Sequence, residues 1–185
     1  MKSIITTVAA GVCGTLLATS ALAVNPNEHN YRKERGAVTQ KDRQFLMEAA
    51  QAGALEVKLG RIALQTSDNE AVRQYGDMMM VEHSRGIDDL QQLAAKKGVT
   101  VPAQDAISTT ERELRSQKGK AFDSRYMELM VRDHEESIAR FERAARSSDD
   151  EDLRSFAVQT LPTLRHHLKI AQTIQKGTPA GSDEK

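Results

Sequence analysis

Residues 120–145 read KAFDSRYMELMVRDHEESIARFERAA, and along them Phe122, Met127, Met130, His134, Ile138, Phe141 and Ala145 fall in line. Spacings of three to five residues trace one face of an α-helix, where a strand would alternate. A histidine in the middle of that face needs a partner, because burying it alone costs several kcal/mol. The same face occurs once more upstream. Aligning His83 with His134 also pairs Met79 with Met130, Glu82 with Asp133, Ile87 with Ile138, Leu90 with Phe141 and Ala94 with Ala145. Heptad packing can repeat apolar positions, but it does not require a matched histidine.

Two more helices flank this pair. Thr39-Gln-Lys-Asp42 resembles a capping box and opens a stripe of Phe45, Ala49, Ala52, Glu56, Leu59 and Ala63. Ser67-Asp68-Asn69-Glu70 breaks it, and the second helix carries Val72, Gly76, Met79, His83, Ile87, Leu90 and Ala94 to a stop at Lys96-Lys97-Gly98. Residues 98–119 hold Pro102 and a polar stretch with room for a short helix around Glu111–Ser116. The third long helix starts near Lys120, and residues 147–151 (SSDDE) cap the fourth. That helix shows Phe156, Thr160, Leu164, His167, Ala171 and Ile174 and stops at Gly177; Pro162 is expected to kink it or to free the carbonyl of Val158.

Four helices of roughly 27 residues would each be about 40 Å long. Two short turns and one link of about 20 residues join them, enough to run the length of a helix. The fold class expected is therefore all-α, a ferritin-like four-helix bundle with a long crossover between its second and third helices. An up-down-up-down bundle with a loose loop is the alternative.

Composition agrees with one helical domain. The 185 residues are 28% charged and 39% hydrophobic, with 11 Gly and 4 Pro, too few for a turn-rich β protein. Lys+Arg and Asp+Glu both number 26, and a balanced charge argues against a nucleic-acid binder. Residues 1–23 (MKSIITTVAAGVCGTLLATSALA) join Lys2, an apolar run and the small-x-small Ala21-Leu22-Ala23, the form of a cleaved signal peptide. The lone cysteine, Cys13, falls within it, so the exported chain would have no thiol chemistry and a net charge of −1. The organisation expected is a signal peptide (1–23), a flexible leader (24–38), the bundle (39–177) and a disordered tail (178–185), with a periplasmic location and no second hydrophobic span.

Each long helix carries one ionisable residue at mid-stripe: Glu56, His83, His134 and His167. Three imidazoles and a carboxylate are a ligand set for one zinc, iron, copper or manganese ion. A di-iron centre needs two Glu-x-x-His pairs, and Met80, Val131 and Leu164 stand three residues before the histidines instead. Counted from the turns, Glu56 and His83 differ in level by about four residues, roughly 6 Å, a stretch for their side chains. Glu82 and Asp133 are candidates to orient an imidazole from behind, and Tyr75 and Tyr126 to donate to a buried carboxylate. His166 must point away from the core if His167 points in. No nucleophilic triad, glycine-rich phosphate loop or cysteine cluster is present.

Taken together, FLMEAAQAGALEVKLGRIAL, MMMVEHSRGIDDLQQLAAKKGV, FDSRYMELMVRDHEESIARFERAA and LRSFAVQTLPTLRHHLKIAQ resemble the exported bacterial domain-of-unknown-function family 4142, across about residues 40–175. The resemblance implies a ferritin-like four-helix fold, and its motif residues fall on Glu56, His83, His134, Pro162 and His167. It brings no established activity. Members are often labelled outer membrane proteins, but the chain has none of the alternating strands of a barrel. The function expected is an exported bundle binding one transition-metal ion in its core, for metal sequestration or envelope stress protection; whether it has an enzymatic activity is left open, an oxidase or peroxidase with a di-metal centre being disfavoured by the missing carboxylates. The alternative is a metal-free structural or partner-binding bundle whose Glu/His layer fixes register. No nucleic acid is expected as a partner, and no protein partner can be named.

Overall fold

The computed structural model describes residues 38–101, 103 and 106–177. The expected signal peptide, all of the leader but Val38, and the tail lie outside the described residues. Five helices make up the described chain: α1 (Gln40–Thr66), α2 (Glu70–Lys96), α3 (Thr109–Ser116), α4 (Gly119–Ser147) and α5 (Glu151–Gly177). No strand occurs among the described residues.

The helix ends fall where short polar side chains can satisfy free backbone groups. Thr39 Oγ1 accepts from the Asp42 amide at 3.2 Å, Asn69 Oδ1 from Ala71 at 3.0 Å, and Asp150 Oδ1 from Leu153 at 3.1 Å. Ser108 and Glu111 form a reciprocal capping box at α3. At the end of α2, Gly98 takes φ 67° while its amide reaches the Ala95 carbonyl and that of Val99 the Ala94 carbonyl. This is a Schellman stop, and a side chain at position 98 would strain it. Helix α5 runs on through Pro162, which cannot supply the amide that the Val158 carbonyl would otherwise accept.

Contacts between the ends fix the topology. Lys41 at the start of α1 reaches the Ser147 carbonyl and Asp149 at the end of α4, while Ser67 after α1 bonds Asp123 at the start of α4. Helices α1 and α4 are therefore antiparallel. Because α1 and α2 form a tight hairpin, α2 and α4 must run parallel. Lys97 beyond α2 meets Asp150, just before α5, and Asp152 in its first turn at 2.5 and 2.8 Å, as the same arrangement requires. The long link thus traverses the bundle, with α3 laid against α1 and α4. Lys58 of α1 holds it through the Ala106 carbonyl and Glu111, and Leu114 is buried beneath. The up-down-up-down alternative does not hold.

Two apolar clusters fill the interior. One gathers Phe45, Leu46, Leu90, Phe141, Leu153 and Leu161; the other gathers Leu59, Ile62, Met79, Phe122, Met127 and Met130. In each long helix the boundary between them falls at the mid-stripe polar residue, so Glu56, His83, His134 and His167 form one layer between two apolar halves.

Candidate metal centre

Helix register brings this layer together. The α1 and α2 backbones touch at Gly60 and Gly76, where a Cβ added to Gly60 would stand 2.5 Å from the Gly76 carbonyl oxygen. That contact sets Gly53 beside His83, whose Nδ1 is 3.9 Å from the position of a Cβ on Gly53. Glu56, one turn further on, reaches back to His83 at 2.9 Å between Oε2 and Nδ1. The gap expected from counting residues is closed by the extended carboxylate.

The three imidazoles face one another, with ring centroids 5.3–5.5 Å apart. One ring nitrogen from each lies within 4.8 Å of those of the other two. His134 and His167 are buried, and the His83 side chain is 11% exposed. His166 turns outward, as expected.

In each ring one nitrogen is held by a group that only accepts. His83 Nδ1–H donates to Glu56, His134 Nδ1–H to the Met130 carbonyl at 2.9 Å, and His167 Nε2–H to Glu82 Oε2 at 2.9 Å. A neutral imidazole has one N–H, so these partners put the lone pair on the other nitrogen. Those other nitrogens, His83 Nε2, His134 Nε2 and His167 Nδ1, are all buried without a hydrogen-bond partner. Orienting one nitrogen through a carboxylate or carbonyl while the other stays open is the arrangement seen around metal-ligating histidines.

The electrostatics sort the protons. Burial alone would raise the Glu56 carboxyl, but His83, bonded to it, and the two further imidazoles outweigh this and bring it to about 2. His83 is lowered by burial but raised overall by Glu56 and Glu82. His134 is lowered by burial and by His83, against the pull of Glu56. His167 falls to about 4 through burial and the neighbouring His83. The layer therefore favours an ionised Glu56 and neutral His134 and His167, with His83 the ring that takes a proton most readily.

Other sequence expectations fare differently. Glu82 does orient an imidazole, though it is His167 across the bundle and not its neighbour His83; Asp133 instead pairs with Arg132 at 3.1 Å. Tyr75 donates to the His167 carbonyl at 3.4 Å, and the buried Tyr126 hydroxyl has no partner, so neither serves a carboxylate. Met79 and Met130 are fully buried within the second apolar cluster. Gly53 and Gly60, which the stripe reading passed over, set the register that assembles the site. Their seven-residue spacing, one heptad, was the available signal.

Above the layer a cleft of about 580 Å³ opens between α2 and α5 and reaches Glu56, His83 and His167. No helix among the described residues is long and apolar enough to cross a membrane.

Comparison with known proteins agrees with the architecture. The family described as a domain of unknown function (DUF4142) matches residues 29–174. Among solved structures, a DUF305 fragment from Deinococcus radiodurans is similar with a TM-score of 0.68 at 14% identity, covering 76% of this chain and 99% of that one. A conserved hypothetical protein from Mycobacterium tuberculosis is similar with a TM-score of 0.63 at 16% identity, covering 78% and 97%. A DUF305 protein from Streptomyces coelicolor gives 0.65 at 11% identity, covering 78% and 97%. At these identities the likeness concerns the fold. No curated protein is significantly similar to the chain.

Proposed function

The chain belongs to the DUF4142 family, a domain of unknown function, and we propose that it is an exported bundle binding one transition-metal ion through His83, His134 and His167. The observation that carries this reading is the set of three buried, unpartnered ring nitrogens, each made a lone-pair donor by the acceptor bonded to its other nitrogen. Leaving a buried polar atom unpaired costs about 1–3 kcal/mol, and an ion satisfies three at once. Glu56 belongs to the same site. Its Oε2 orients His83, and its Oε1, with no hydrogen bond and 3.5 Å from His134 Nδ1, is the candidate fourth ligand.

Imidazole donors suit zinc, copper, iron or nickel, whereas magnesium and calcium take oxygen sites. Four-coordinate binding at 2.0–2.1 Å puts donor atoms roughly 3.3 Å apart, so binding draws the rings slightly inward. The absence of paired carboxylates favours holding an ion over activating dioxygen. Sequestration in the periplasm, with protection from metal stress, is the role that fits a histidine-rich buried site behind a signal-peptide-like N-terminus.

A second reading has one observation in its favour. The Glu56–His83 contact at 2.9 Å, with Glu56 lowered and His83 raised, is a buried ion pair that could fix register without metal. Metal analysis of protein purified without an affinity tag separates the two. Metal binding predicts about one equivalent per chain in the wild type and loss of it in His134→Ala. No stoichiometric metal in the wild type after exposure to zinc or copper would leave the ion-pair layer as the account.

A further inference from the structure

The cleft between α2 and α5 has ligand nitrogens at its inner end and carboxylates on its way out to solvent. Taking the metal reading as its base, we infer that this cleft is the passage through which a divalent cation enters and leaves the histidine layer, drawn in by Glu82 and Asp89. The ion is then exchangeable with solution and not sealed in the bundle.

The inner end is built to receive an ion. Glu56, His83 and His167 line it, and the His167 side chain, only 1% exposed, keeps its Nδ1 without a hydrogen-bond partner. His134, fully buried, is not part of the lining and stands behind the other two rings. An ion arriving by the cleft therefore meets His83 and His167 first and His134 last. Along the bundle axis the layer is flanked instead by the two apolar clusters. Hydrocarbon offers nothing in place of the water a cation must shed, so that direction is costly.

The charges of the cleft favour a cation. Its lining holds three carboxylates, Glu56, Glu82 and Asp89, against the single guanidinium of Arg85. Arg140 reaches the wall through Ser137, but it is paired with Glu48 at 3.1 Å and leaves the balance unchanged. With the rings neutral the excess is two negative charges, which a divalent ion cancels. A low-dielectric cleft of one sign also raises the local concentration of counter-ions and their rate of entry.

The carboxylates stand in order along one face. Glu82, Gly86 and Asp89 follow at spacings of four and three, so they share a stripe of α2. Asp89 is exposed at the outer end. Glu82 is 41% exposed and bonds His167 Nε2 at 2.9 Å, so one carboxylate touches both water and the layer. Between them Gly86 leaves a gap. Gly53, Gly60 and Gly76 each stand against a neighbouring helix, but a Cβ at Gly86 would meet nothing within 4 Å. A glycine inside a helix is destabilising relative to alanine, and here the return is open space between two acids.

The test uses the full chain with Co(II) as probe, uptake being read from the visible bands after rapid mixing and release on mixing with excess EDTA. Gly86→Leu, which puts a side chain into the gap, should slow uptake and release by a common factor of at least about three and leave Kd unchanged, because both directions use one path. Asp89→Lys should slow uptake at least about tenfold at low salt, the lower end of electrostatic steering. That deficit should largely vanish at about 1 M salt, where the Debye length is about 3 Å. Unchanged rates in either variant, or faster release from Gly86→Leu, overturn the inference and leave the metal site standing. Failure of the wild type to take up cobalt overturns the metal reading and this inference with it. Should Gly86→Leu fold poorly, Asp89→Lys decides alone.

Discussion

His134 can use only one of its nitrogens. Met130 holds its Nδ1–H, and the lone pair on Nε2 is left buried, facing two other imidazoles. Glu56 and Glu82 impose the same choice on His83 and His167. Replacing such an orienting group typically lowers metal affinity 10–100-fold. Glu56→Gln should therefore weaken zinc by about that factor, measured by competition with a chromophoric chelator; unchanged affinity would show that Glu56 neither orients nor binds. The Tyr126 hydroxyl makes a different case. It is buried without a partner, and burial and the Glu56 charge both raise its pKa, so it stays neutral. Tyr126→Phe should leave stability unchanged or raise it by about 1 kcal/mol in denaturant titration. A loss of more than about 1 kcal/mol would mean that the hydroxyl has a partner in solution.

Two glycines in the α1–α2 hairpin have opposite roles. At Gly60 the obstruction is the Gly76 backbone, which cannot swing aside as a side chain can. Gly60→Ala should push the helices apart and destabilise by about 1–3 kcal/mol, the usual range for overpacking. Gly86→Ala adds a methyl to open space and should stabilise by up to about 1 kcal/mol. Both follow from urea midpoints, and a reversed sign at either position would contradict the packing described. Elements of this kind were legible to different degrees. Helix ends were readable because caps are local: Thr39, Asn69, Gly98 and the cluster before α5 act within a few residues of themselves. The four mid-stripe polar residues were readable because each interrupts an apolar face. The levels at which they meet were not, since these depend on where Gly60 meets Gly76, a contact between helices. Glu82 was missed as the partner of His167 for a related reason: it lies off the stripe of α2, and only the neighbouring α5 gives it a target.

Across the whole molecule, proton balance ties the centre to stability. In the metal-free protein His134 and His167 are lowered, so between about pH 6.5 and pH 4 the unfolded chain protonates them and the folded chain resists. His83 is raised and acts in the opposite sense, adding stability below about pH 6.5 that is lost as pH rises through its folded value. The His83 contribution changes only above that window, so stability should fall on acidification through it. It should fall further below about pH 4.5, as Glu56 loses its advantage toward its folded value of about 2. Thermal melts of metal-free protein from about pH 6.5 to pH 4 should descend, and a flat profile would show that His134 and His167 are not buried neutral. The bundle and its crossover follow from hydrophobic spacing and link length, whereas the cleft follows from how loosely α2 and α5 meet, which no single segment encodes. The most direct test of the centre itself is X-ray absorption at the zinc edge on protein loaded with one equivalent. Three imidazole nitrogens at about 2.0–2.1 Å, with one further light ligand, are expected; an all-oxygen, six-coordinate shell would contradict the account.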